Sequence, residues 1–137
     1  MATRIFIWRR RSTFRAGHRT AVNITIVWRK NMYHIRRVYK TKPGQARKVA
    51  TLAHLEAQIF RDAGQRGEFN VYFNPGTTPG EKNKVVLQWN DDVIRSIFRS
   101  ENEIPAKALE IQRELVDLTE DNWLEIDELL TPEKMVK

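Results

Sequence analysis

The sequence predicts an α+β fold: an antiparallel sheet built from a three-stranded basic meander plus a later hairpin, one central helix and C-terminal helices, in the order βββαββααα. Three observations predict it. The first forty residues are dense in Ile, Val, Thr, Trp and Tyr, side chains that suit a pleated surface. From about Gln45 apolar residues recur at three- and four-residue steps, the period of a helix with one buried face. Further on, a Pro/Gly-rich stretch over 74–84 separates two short apolar runs, which reads as a hairpin loop. A chain of 137 residues is long enough to bury a core without disulfide or metal staples.

In the meander, residues 3–10, 20–30 and 32–41 are the three strands. Ala16-Gly17 is the bend between the first two. Residues 29–32 join the second to the third, with Asn31 able to take a left-handed turn conformation. Pro43-Gly44 ends the meander and a helix runs over 45–63, carrying Val49, Leu52, Ala53, Ile59, Phe60 and Ala63 on its apolar face. Gly64 then suits the residue just past its end, where positive φ is needed. Strands follow at 69–73 and 85–89. Asn90 or Asp91 is expected to cap a short helix holding Val93, Ile94, Ile97 and Phe98. Pro105 opens a helix to residue 118, and Thr119 caps a last one through residue 130, ended by Thr131-Pro132. No internal repeat or low-complexity tract interrupts the chain. The division expected is a basic α+β domain over 1–100 and an acidic helical segment over 101–137 packed on it.

Charge is distributed unevenly. Residues 1–50 hold ten arginines and four lysines and no Asp or Glu. Residues 51–100 balance six bases with six acids, and residues 101–137 hold eleven acids against four bases. Such asymmetry points to a polyanionic partner. Strand alternation sharpens that expectation. Val22, Ile24, Ile26 and Trp28 form one apolar set, expected to face the core and the helix over 45–63. Matching apolar residues turns Ile5, Ile7, Tyr33, Ile35 and Tyr39 the same way. Arg4, Phe6, Trp8 and Arg10, with His34, Arg36, Val38 and Lys40, are left on the outer face. Arg9, Arg11 and Arg37 share the inner parity and are expected near strand ends or an edge, because a buried unpaired guanidinium is costly.

An outer face of aromatics among arginines suits single-stranded nucleic acid, with bases stacked on Phe6 and Trp8 and phosphates tracked by Arg and Lys. The same meander could enter a duplex groove. Arg15, Arg19, Arg29, Lys30 and Lys42 would add a phosphate-binding rim. The competing reading covers Phe6 and Trp8 with the C-terminal helices as core. The β-β-β-α order, over about the first 64 residues, is similar in topology to the three-stranded DNA-binding modules at the ends of some phage integrases, without a shared motif.

Little in the sequence points to catalysis. The chain has no cysteine, which excludes disulfides, thiolate metal sites and cysteine nucleophiles. His18, His34 and His54 have no partner at metal-ligand spacing. Residues 76–82 only superficially suggest a phosphate loop, because the Walker spacing fails and a strand follows instead of a helix. Asp91 and Asp92 suit a helix N-terminus better than a carboxylate–lysine centre with Glu81 and Lys82. No cofactor, metal or catalytic residue is expected. An Arg-rich, acid-free N-terminus suggests a transit peptide, but the run Ile5-Phe6-Ile7-Trp8 reads as strand. No apolar stretch reaches the length of a membrane helix, so the location expected is cytoplasmic.

The acidic end reads as two amphipathic helices. They are expected to pack on the sheet, to dock a protein partner or second copy through Trp123 and Leu130, or to contact the basic half of the same chain. The function expected is a small non-enzymatic nucleic-acid-binding protein. The alternatives are a protein-binding regulator of transcription or another nucleic-acid machine, of phage type, and a structural subunit of a ribonucleoprotein.

Overall fold

A computed structural model describes residues 4–14, 18–28, 31–94 and 103–137. It divides into two units, Met1–Asn31 with Leu130–Lys137, and Met32–Leu129.

The first unit is a long β-hairpin, β1 (Arg4–Phe14) and β2 (His18–Trp28), which form a two-stranded sheet of their own. Its register runs from Arg4 with Trp28 to Phe14 with His18; the bend expected at Ala16-Gly17 lies outside the described residues. The register corrects one expectation. Val22, Ile24, Ile26 and Trp28 stand opposite Arg10, Trp8, Phe6 and Arg4, whereas Ile5 and Ile7 stand opposite Val27 and Thr25. The apolar row of β2 is therefore paired with Phe6 and Trp8 and not with the two isoleucines. The unit ends in a 3-10 turn over Pro132–Lys134, in which the Lys134 amide donates to the Thr131 carbonyl at 3.0 Å.

The second unit runs β3 (Tyr33–Thr41), α1 (Ala46–Asp62), β4 (Phe69–Asn74), β5 (Lys84–Asp91), α2 (Ala106–Leu118), β6 (Thr119–Glu128). Its four strands are antiparallel in the order β4-β5-β3-β6. This βαββαβ order is the split, ferredoxin-like arrangement. The class is thus α+β, as expected, but three features of the expected order are corrected. β3 does not extend a meander; among the described residues it pairs with β5 and β6. The last expected helix is β6, and α2 passes straight into it through Thr119, whose backbone is already extended (φ −114°, ψ 147°). The helix expected after Asn90 is not seen over the described residues: Asp91 still belongs to β5 and 92–94 are not helical, while Ile97 and Phe98 lie outside the described residues.

Both helices lie on one face of this sheet. Val49, Ala50, Ala53 and Ala57 of α1 and Leu115 of α2 bury against Tyr39, Val85 and Leu87. Alanine at α1 positions 46, 50, 53 and 57 lets the helix backbone approach the strands closely, and all four are buried. The helix ends as its sequence dictates. Gly64 takes φ +73°, its amide donates to the Arg61 carbonyl, and the Gln65 amide donates to the Phe60 carbonyl, each at 2.9 Å. That pair of bonds is a Schellman cap, which only glycine adopts without strain.

Between β4 and β5 the chain wraps around Asn74. Its Oδ1 accepts from the Gly76 amide at 2.9 Å, and its Nδ2 donates to the Thr78 carbonyl at 3.1 Å. The one non-glycine residue with positive φ among the described residues is Asn83 at the end of this loop, and not Asn31.

Candidate functional site

Side chains alternate across a sheet, so the residues next to Tyr39, Val85 and Leu87 point away from the helices. The registers order them into rows. Tyr72, Val86, Val38 and Trp123 form one row across all four strands. A second row is Asn70, Gln88, Arg36 and Glu125, and a third is Asn90, His34 and Asp127. On the other side of the apolar row lie Asn74, Lys84, Lys40 and Asp121. Val38, at the middle of the sheet, is only 2% exposed, whereas Tyr72 is 56% and Trp123 37% exposed. The face is an apolar and aromatic stripe inside a polar frame.

That frame is electrostatically matched within the chain. β6 sets Asp121, Glu125 and Asp127 opposite Lys40, Arg36 and His34 of β3. Arg36 and Glu125 form an ion pair, and the Trp123 indole N–H donates to Glu125 at 3.3 Å. These two hydrogen bonds, Trp123 first and Arg36 second, hold the Glu125 carboxyl below its ordinary range. His34 Nδ1 lies 2.9 Å from Asn90 Oδ1. The acid-free segment and the acid-rich segment thus meet as neighbouring strands. Of the three roles open to the acidic end, contact with basic residues of the same chain is the one this pairing displays for β3.

The helix-covered face holds a second set of charges. Glu56 of α1 is 7% exposed, and its Oε1 accepts from Gln112 Nε2 of α2 at 2.7 Å. Burial raises the Glu56 carboxyl, against the lowering effect of Gln112, Arg66 and Arg37. Tyr39 lies in the same cluster, its phenol pushed up to about 12 by burial and then by Glu56. The Arg66 guanidinium lies 4.2 Å from the centre of the Trp89 ring and 5.1 Å from that of Phe60, a cation–π contact with each. Arg37 corrects an expectation here. It sits in mid-strand on the covered parity instead of at an end or edge. Its Nη1 donates to Asn122 Oδ1 at 3.0 Å, which supplies the partner that a guanidinium there needs.

Of the residues expected to hold nucleic acid, the structure gathers His34, Arg36 and Lys40 on the uncovered face. Arg4, Phe6, Trp8 and Arg10 are on β1 and Arg19 on β2, in the other unit. Arg15, Arg29 and Lys30 lie outside the described residues. Lys42 follows β3, where its amide donates to the Leu118 carbonyl at 2.9 Å. Of the two partner residues, Trp123 stands in the apolar row of β6 and not on a helix. Leu130, past the strand, is 63% exposed. Sequence reasoning missed Tyr72, Val86 and Glu125 as members of a surface. The alternation in Phe69–Asn74 and Lys84–Asp91 was a signal for the first two; for Glu125 there was none while its segment read as helix. Among the described residues no group of three His, Cys, Asp or Glu could hold a metal, and no helix is long and apolar enough to cross a membrane.

No protein-family model matches the chain, and no curated protein matches it in sequence. In structure the chain is similar to a crystal structure, at 2.40 Å, described as a NIPSNAP family protein from Agrobacterium tumefaciens strain C58. The two are 20% identical, with a TM-score of 0.56 over 74% of this chain and 87% of that one. At that identity the likeness is one of fold. It overturns the nucleic-acid reading, and with it transcription regulation, the ribonucleoprotein role and a viral origin: the matching fold comes from a protein not described as binding nucleic acid. The integrase-like topology fails as well, because β3 does not join β1 and β2. The expected basic platform is divided between two sheets, and its β3 part is matched by acids of β6.

Proposed function

We propose that Met32–Leu129 is a non-enzymatic association module whose uncovered sheet face packs against the same face of a second copy. The row Tyr72–Val86–Val38–Trp123 carries the reading, because it spans every strand of the sheet and sets two exposed aromatic side chains on a face that, among the described residues, no helix covers. Aromatic side chains in a partly apolar stripe are the composition of interface centres, with charges left to the rim. Two-fold packing needs a self-complementary patch. Here bases on β3 and β5 stand beside acids on β6, so both signs are present on one face. Because Arg36 already holds Glu125, the frame offers charge without requiring an outside counter-ion.

Sedimentation equilibrium of the intact chain tests this. The expected result is a monomer–dimer equilibrium that Tyr72→Glu and Trp123→Glu each shift to monomer, with the circular-dichroism spectrum unchanged. A wild-type chain that stays monomeric at every concentration would overturn the proposal.

A further inference from the structure

β6 is an edge strand, and among the described residues it pairs with β3 alone. Glu120, Asp121, Asn122, Trp123 and Leu124 are all exposed along it, as are Ile126 and Asp127. Leu124 is 45% and Ile126 37% exposed although both lie on the parity of the covered face. An open edge carrying apolar side chains is a template for another strand, and proteins usually guard such edges with lysine, proline or bulges. β6 has no lysine and no proline, and the one register shift in its pairing with β3 lies at its start, between Asp121 and Thr119. Its ten residues hold five acids and no base. Two β6 edges brought together would set acid against acid, so the strand this edge accepts must be basic.

The same chain contains such a strand. β1 has eleven residues, one more than β6, with Arg4, Arg9, Arg10 and Arg11 and no acid. It belongs to a two-stranded sheet, an arrangement marginal in water unless a further strand or helix supports it. β2 holds one arginine, Arg19, so β1 is the more basic of the two strands. We infer that the β1–β2 hairpin of one copy adds, through β1, to the β6 edge of a second copy. The backbone ladder supplies the pairing, and arginine against Asp and Glu selects the strand. This arm exchange rests on the self-association proposed above, but it uses the sheet edge where that reading uses the sheet face.

A charge-swap experiment on the full chain tests it. One variant carries Arg4→Glu and Arg11→Glu, the other Glu120→Lys and Asp127→Lys, each pair seven positions apart along its strand. Each alone should raise the dimer dissociation constant about tenfold or more at low salt. An equimolar mixture should recover tight dimers containing one of each, because each swapped arm then meets one complementary edge. Native mass spectrometry identifies the mixed species, and hydrogen exchange reports β1 amides protected more strongly as protein concentration rises. Mixed dimers with concentration-dependent β1 protection are the expected result. If the mixture stays as weak as its parts, or if β1 protection does not depend on concentration, arm exchange is overturned. Should dimers survive both swaps yet be lost with Tyr72→Glu, the face-to-face reading stands and the arm proposal falls.

Discussion

The two faces of the four-stranded sheet handle charge in opposite ways. Beneath the helices, Glu56 is buried, and the burial raises its carboxyl more than Gln112, Arg66 and Arg37 lower it. On the uncovered face, Glu125 is solvated, and hydrogen bonds from Trp123 and Arg36 lower it. Both are glutamates within one small domain. Environment, not residue type, sets the direction: desolvation opposes the charged form, while donors in water favour it.

The largest expected difference between the faces is in packing. Leu87 is 3% exposed under the helices, and its neighbour Val86 lies on the other face. Leu87→Ala should cost about 2–5 kcal/mol in chemical denaturation, through lost burial and the cavity left behind. Val86→Ala should cost clearly less. Equal costs would break the distinction between a covered and an open face.

Next comes the buried carboxylate. Glu56→Ala removes the acceptor of Gln112 and the negative charge that faces Arg66 and Arg37. It should destabilise the fold by about 1–3 kcal/mol, the cost of leaving buried polar groups unsatisfied. Arg36→Ala, which opens a solvated pair, should leave the denaturation midpoint nearly unchanged.

The faces should also differ in the sign of their pH dependence. Glu56 binds its proton more tightly folded than unfolded, so its contribution falls as pH rises from the ordinary value of 4.5 through the raised folded value, and is level above it. Glu125 releases its proton more readily when folded, so its contribution is present above 4.5 and is lost as pH falls through the lowered folded value. Stability measured from pH 3 to 7 should therefore change in opposite directions in Glu56→Gln and Glu125→Gln relative to wild type. Curves that shift in the same direction would refute the contrast. Tyr39, on the covered side, should titrate near 12 by its ultraviolet absorbance, and Glu56→Gln should bring that value down.

The smallest effect tests the frame that both faces share. Gly64→Ala forces a side chain into φ +73°, and thermal melting should register a loss of about 1 kcal/mol. Open space around the glycine means that the loss would be conformational and not steric.

Much of this domain was legible in local sequence. The strand at 33–41, with Ile35 and Tyr39 inward and His34, Arg36, Val38 and Lys40 outward, follows from alternation. So do the span of α1, its glycine cap, the start of α2 after Pro105 and the hairpin around 74–84. The segment 119–128 was not legible. Its Glu and Leu content favours helix, and Trp123, Leu124, Ile126, Leu129 and Leu130 approximate a helical stripe. In the fold, however, β3 offers an edge that must find a partner, and pairing with it overrode the weak local preference. Reading that segment as helix also hid the acids that match the basic strand.

What the sequence determined by itself is therefore local: which stretches extend or coil, where helices stop, and which side chains of β3 share a face. Each depends on residues within a few positions of one another. Only the tertiary structure decided that β3 lies between β5 and β6 and not beside β2, that Arg37 could stay in mid-strand because Asn122 reaches it, and that the acidic end is a strand set against the basic one. Those facts are pairings between residues far apart in the chain; Arg36 and Glu125, for example, are 89 positions apart. Several partners can satisfy the same local pattern, and the choice among them is made by the backbone hydrogen bonds and buried contacts of the whole domain.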